Sequence, residues 1–200
     1  MTFQLAVQSL YQLAVIQQKS TSTKRLSALA TYCAEQLELR GLRGAEAEVT
    51  IEGGARPKDW DVAWKWAGKY RLVISLKSIL KNPPGTVPNR IDDLMGETAN
   101  IQLYSPEVVA GYVMIFNVAA DAPNRLGKTW YDLLVERLDR LAVRRAPYWT
   151  PSTFESYAVI RVDFSRECCF VDGEDDLNRM FDALVNEVRR RNPGIGEENT

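Results

Sequence analysis

Apolar residues recur along this chain at two spacings, and the spacings divide it into elements. Over residues 3 to 18, Phe3, Leu5, Ala6, Leu10, Leu13 and Ala14 keep helical spacing. The run STSTKRLSALATYCAEQLELRG then supplies Ser/Thr caps, a second amphipathic stretch and a stop at Gly41. Three β-rich runs follow, AEVTIEG, DWDVAWKW and YRLVISLKS, with turn signals at Gly53-Gly54 and Gly68, and they predict a meander. KNPPGTVPN reads as a loop and the next helix as roughly residues 89–103. VVAGYVMIFNVAA is nearly all apolar, as a strand covered on both faces is. A helix over residues 129–144, the irregular APYWTPST, strands in YAVIRVDF and CCFVD, and a helix over 174–191 complete the order. No repeat or linker interrupts it. Residues 1–192 are expected to form one domain and 193–200, with Pro193, Gly194 and Gly196, a frayed tail.

The pattern also raises a question, because KDWDVAWKWAGKYRLVISLKS puts polar residues inside sheet-forming runs. Alternation sets Trp60, Val62, Trp64 and Trp66 on one face of the first strand and Asp61, Ala63 and Lys65 on the other. In the second strand Leu72, Ile74 and Leu76 share a face, with Val73, Ser75 and Lys77 opposite. A turn over residues 67–69 would pair Trp66 with Tyr70 and so place Asp61 across from Ser75, with Lys77 as the diagonal neighbour. Directly opposite residues lie about 5 Å apart and diagonal ones about 7–8 Å, within reach of a lysine. The tryptophan stripe, facing away from this polar group, reads as core rather than as a base-stacking platform.

Composition narrows the chemistry. The chain has 200 residues, 46% hydrophobic and 26% charged, enough to bury a sizeable core. It lacks an apolar run of membrane-spanning length and a signal-peptide pattern, so a cytoplasmic protein is expected. Histidine is absent, which removes imidazole-dependent triads and His-ligated zinc. The three cysteines, Cys33, Cys168 and Cys169, lack CxxC spacing and indicate neither a disulfide framework nor a zinc site. Catalysis, if present, must rest on carboxylates, Lys, Arg, hydroxyls and a hard cation held by oxygen. A net charge of −1 gives no general basic excess for nucleic acid. A patch can be local, and the basic clusters RLDRLAVRRAP (137–147) and NEVRRRNPG (186–194) read as such a patch or, more plainly, as solvated helix faces or helix C-termini, with the adjacent APYWTPST as a DNA-contacting loop or an ordinary connection. Glu35 and Glu38 read as solvent-facing helix positions, with an upstream acid for the site as the other possibility.

Asp61 followed by a strand ending in Ser75-x-Lys77 resembles the PD-(D/E)xK nuclease superfamily, which includes many type II restriction endonucleases. In one subgroup a small residue replaces the acid before x-Lys, and a glutamate in the next helix replaces it within a segment like E-A-x-N-L. Glu97-Thr98-Ala99-Asn100-Ile101 is similar to that segment. Trp60 stands where the pattern has Pro, and NPPGTVP would be an insertion lengthening the gap from Lys77 to Glu97. The resemblance implies a restriction-endonuclease-like α/β fold, a central mixed β-sheet flanked by α-helices. It implies Mg²⁺ held by Asp61 and Glu97, with Lys77 completing the catalytic set, in an endonuclease that cleaves double-stranded DNA as a homodimer. The alternative is a nuclease-fold protein that binds nucleic acid or a protein partner without cutting. Helical spacing puts Arg90, Asp93, Glu97 and Asn100 on one polar stripe beside the apolar Ile91, Leu94, Thr98 and Ile101. Arg90, Asp93, Asn100 and Ser75 are thus possible supports, and Asp93 and Asp92 are rival acids to Glu97. The bland reading of the stripe is a solvated face with an Arg90–Asp93 pair.

Overall fold

The computed structural model describes residues 1–18, 23–125, 127–166 and 170–195. The order is α1 (Phe3–Tyr11), α2 (Ser27–Leu39), β1 (Glu46–Ile51), β2 (Lys58–Trp66), β3 (Lys69–Ile79), α3 (Pro83–Tyr104), β4 (Val109–Asn117), α4 (Trp130–Leu141), β5 (Ser156–Asp163), β6 (Phe170–Asp172) and α5 (Glu174–Arg191). The six strands lie side by side in chain order in one sheet. β1, β2 and β3 form the expected antiparallel meander, β4 runs parallel to β3 and β5 parallel to β4, and β6 closes the edge antiparallel. Helices cover both faces, so the fold is α/β with a mixed sheet.

β4 shows why its sequence is almost all apolar. Val109, Val113 and Ile115 pack with α1, α2 and α5, while Ala110, Tyr112, Met114 and Phe116 pack with α3 and α4. Both faces of the strand are therefore core. Gly111 lets α5 pack closely on it, since a Cβ there would meet Leu184 Cδ1 at 2.5 Å and require that side chain to shift. α5 carries Glu174, Asp175 and Asp176 in its first turn and Arg189, Arg190 and Arg191 in its last, complementing the helix dipole at both ends.

One helix boundary differs from expectation. α3 begins at Pro83, so most of the segment read as a loop is helical. Pro83 and Pro84 fit the first turn, where a missing N–H costs nothing, and Pro88 is carried inside. The segment read as an insertion is thus the N-terminal part of the helix that bears Glu97. At the C-terminus, Ile195 packs against the α1/α2/α5 core. Residues 196–200, like Cys168 and Cys169, lie outside the described residues.

Candidate functional site

The hairpin of β2 and β3 builds the floor of the site. Its turn is shorter than the spacing predicts: Trp66 pairs with Lys69 across Ala67 and Gly68, both at positive φ (49° and 75°), as a type I′ turn requires. The missing residue is restored by a register shift between Trp64 and Lys65, after which Val62 faces Ile74. One step further along, Asp61 reaches Ser75 as expected, by a bulge rather than by a three-residue turn.

Strict alternation fails at one tryptophan. Val62, Trp64 and Trp66 pack with α1, α2 and α5, but Trp60 packs with Ile51, Ala63 and Val73 on the α3 side. The paired register of β2 with β3 ends at Val62, so the residues before it are released from the pleat of β3. That turn of the strand brings Lys58 into the site.

The polar group is compact. Asp61 Oδ2 accepts a hydrogen bond from the backbone N–H of Leu76 at 2.7 Å. Ser75 Oγ, fully buried, lies 3.3 Å from Asp61 Oδ2 and 3.3 Å from Glu97 Oε2. The two carboxylates are therefore separated by no more than two hydrogen-bond lengths, with one hydroxyl proton between them. Lys77 Nζ donates to Glu97 Oε1 at 2.7 Å, and Lys58 Nζ stands 3.5 Å from Glu97 Oε2. Burial holds the Asp61 carboxyl above its ordinary value, opposed by the Leu76 N–H and by the charges of Lys58 and Lys77. Burial also lowers the Lys58 ammonium, opposed by Glu97.

α3 delivers Glu97 because its apolar stripe is buried as predicted: Ile91, Leu94, Thr98 and Ile101 are at most 8% exposed. The helix is pinned one residue past Glu97. Thr98 Oγ1 donates to the Leu94 carbonyl at 2.6 Å and lies 2.9 Å from the hydroxyl of Tyr112. Tyr112 is the β4 register partner of Ser75, so the bond ties Glu97 to the strand beneath it. Asn100 serves the same end from outside the carboxylate pair. Its side-chain oxygen accepts from the N–H groups of Ala55 and Arg56, and its amide donates to the Arg56 carbonyl, clamping the β1–β2 connection to α3.

The other candidates are distributed differently. Arg90 pairs with Asp93 at 2.8 Å and also lines the cleft beside Asp61, whereas Asp92 and Asp93 are exposed. Glu35 pairs with the amino terminus and Glu38 accepts from Gly44 N–H, so neither joins the site. One arginine from each basic cluster meets Glu155, which accepts from Arg144 at 2.8 Å and from Arg191 at 2.6 Å. Trp149 of the APYWTPST segment lies against the same arginines, with the Arg191 guanidinium 4.3 Å from its ring centre. That network lines a cavity of about 860 Å³ with Leu103 and Pro106, and it contains none of the Asp61 group.

The cleft over Asp61 encloses about 530 Å³ and is walled by Lys24, Arg25, Glu48, Thr50, Lys58, Asp59 and Arg90 as well as Lys77. Most of these escaped sequence reasoning. Glu48 lies in the ladder gap across from Asp61, between the pairs Ala47↔Val62 and Val49↔Trp60, with a positive φ of 58°. Arg25 reaches Ser78 Oγ at 3.3 Å from the turn before α2, a meeting of residues 53 positions apart. No periodicity announces such a contact.

Among the described residues no three His, Cys, Asp or Glu side chains come together, so the donor set is two carboxylates and a hydroxyl. These hard oxygen donors fit Mg²⁺, which takes one or two carboxylates and completes an octahedron with water. They do not fit zinc, which prefers nitrogen and sulfur. No family model, curated protein or solved structure matches the chain.

Proposed function

We propose that the protein is a Mg²⁺-dependent DNA endonuclease of the PD-(D/E)xK type with a restriction-endonuclease-like fold, its second acid carried by α3. The observation that carries this reading is the convergence of Asp61, Ser75, Glu97 and Lys77 into one hydrogen-bonded group at the cleft that Asp61 and Lys77 line, drawn from two strands and a helix. Asp61 and Glu97 would hold the ion, which when bound lowers the pKa of a water and neutralises charge on the phosphate. Asp61 is oriented for this by the Leu76 N–H and Glu97 by Lys77. The Lys77 ammonium supplies a donor for charge developing on phosphate oxygens. Lys24, Arg25 and Arg90 give the cleft wall a positive character suited to the phosphates on either side of the scissile bond. In its finer form the reading is a type II restriction enzyme acting as a homodimer on symmetric double-stranded sites, since a two-fold assembly matches a two-fold target.

The test is cleavage of plasmid and phage DNA by Glu97→Ala, Asp93→Ala and Asp92→Ala at saturating Mg²⁺. Loss by orders of magnitude in Glu97→Ala alone is expected, because one carboxylate holds Mg²⁺ weakly. Loss confined to an aspartate variant would move the acid elsewhere on α3. Wild-type protein that retards DNA without cutting it would select the non-cleaving alternative.

A further inference from the structure

Glu97 is held by two ammonium groups, and only one of them belongs to the motif. Lys77 takes Oε1 at 2.7 Å, while Lys58, three residues before Asp61, stands 3.5 Å from Oε2. The Lys58 side chain is only 10% exposed, and its Nζ lies 4.4 Å from the ring centre of Trp60 and donates to the Asp59 carbonyl at 3.0 Å. Lys58 is therefore an inward-facing cation held on an aromatic ring, unlike a solvated surface lysine. Together the four charges, Asp61, Glu97, Lys58 and Lys77, cancel. A divalent cation added between the carboxylates breaks that balance: it occupies the Glu97 lone pairs that the lysines now use and leaves two ammonium groups beside the cleft.

We propose that Lys58 is a second active-site cation that competes with Mg²⁺ for Glu97 and, once the ion displaces it, binds a phosphate oxygen of the DNA. This rests on the nuclease reading of the site. Metal and DNA then promote each other's binding, because each removes an obstacle to the other: the ion frees the ammonium, and the phosphate gives it a new partner. A residue that only supported the fold would not link the two. Removing Lys58 would instead affect the ligands in opposite directions, strengthening metal binding to the free protein and weakening DNA binding to the metal-loaded one.

The experiment titrates Mg²⁺ alone into wild-type, Lys58→Gln, Lys58→Met and Lys58→Arg proteins by calorimetry. Duplex DNA binding in Ca²⁺ is then measured for the same four. Lys58→Met retains an apolar stem over Trp60 should the glutamine variant fold poorly, and Lys58→Arg retains the charge. Both neutral variants are expected to bind Mg²⁺ roughly tenfold tighter and DNA roughly tenfold more weakly than wild type, the scale of one charge interaction largely screened by water in an open cleft. Lys58→Arg should stay near wild type for Mg²⁺. Unchanged or weaker Mg²⁺ binding by the neutral variants, with wild type binding Mg²⁺ and cutting DNA, overturns the role of Lys58 and leaves the nuclease reading standing. A wild type that neither binds Mg²⁺ nor cuts overturns both.

Discussion

The surroundings of Asp61 disfavour its charged form. Burial raises its pKa above the ordinary carboxylate range despite the Leu76 N–H and two nearby lysines. Between its unfolded and folded pKa values the native state binds more protons than the unfolded one, so this group's contribution to stability falls as pH rises through that window. Above the folded value the full penalty is present, and at acid pH, below the ordinary carboxylate value, it is absent. Asp61→Asn keeps an oxygen acceptor for Leu76 and removes the charge. It should melt at or above the wild-type temperature at pH 7.5, with the gap closing as pH is lowered towards 4, while cleavage falls by orders of magnitude. Thermal melts across that range check it, and a variant several degrees less stable at pH 7.5 would show that the charge is supported rather than penalised. The meeting of Asp61 with Ser75 was legible from strand alternation because Asp61 directly adjoins Val62, the last residue of β2 paired with β3. Lys58 was not, because it precedes the point where β2 leaves β3 and ordinary side-chain parity ends.

At the scale of elements, the β2–β3 hairpin and α3 set the geometry of the polar group, and each was read in part. The register of Asp61 against Ser75 comes from two compensating features, a two-residue turn and a bulge, which a count along the sequence merges into one three-residue turn. Ala67 is the weak point of that turn, with φ of 49° on a residue that disfavours the left-handed region. Ala67→Asn suits a type I′ turn and should stabilise the protein by about 0.5–1 kcal/mol, raising the melting temperature by roughly 2 °C. Calorimetry would detect this, and an equal loss would mean that the turn is not the one described. For α3 the buried stripe of Ile91, Leu94, Thr98 and Ile101 fixed which face carries Glu97. Its start was hidden because proline usually signals a break, and only position within the first turn distinguishes a helix-starting proline from a helix-ending one.

Over the whole molecule, layer order follows from residue patterning: an all-apolar β4 covered on both faces, amphipathic helices to either side, and β1–β3 as a meander. Among the described residues no helix is long and apolar enough to cross a membrane. The overall charge of −1 conceals the local arrangement, in which five Lys and Arg side chains surround the Asp61 cleft while one arginine from each of two other basic clusters pairs with Glu155 inside the fold. Arg144 and Arg191 of the charge runs visible in sequence are thus structural, and the cations facing the carboxylates were scattered across β2, β3, α3 and the turn before α2. The central claim, that Glu97 replaces an acid missing at Ser75, is tested most directly by moving the acid back. Single-turnover cleavage of plasmid DNA in Mg²⁺, with EDTA as control, is to be compared among wild type, Glu97→Ala and the double variant Ser75→Glu with Glu97→Ala. The account predicts Mg²⁺-dependent cutting by wild type, loss by orders of magnitude in Glu97→Ala, and partial recovery in the double variant, where the new carboxylate enters space vacated beside Asp61. Cutting by Glu97→Ala at the wild-type rate would contradict it.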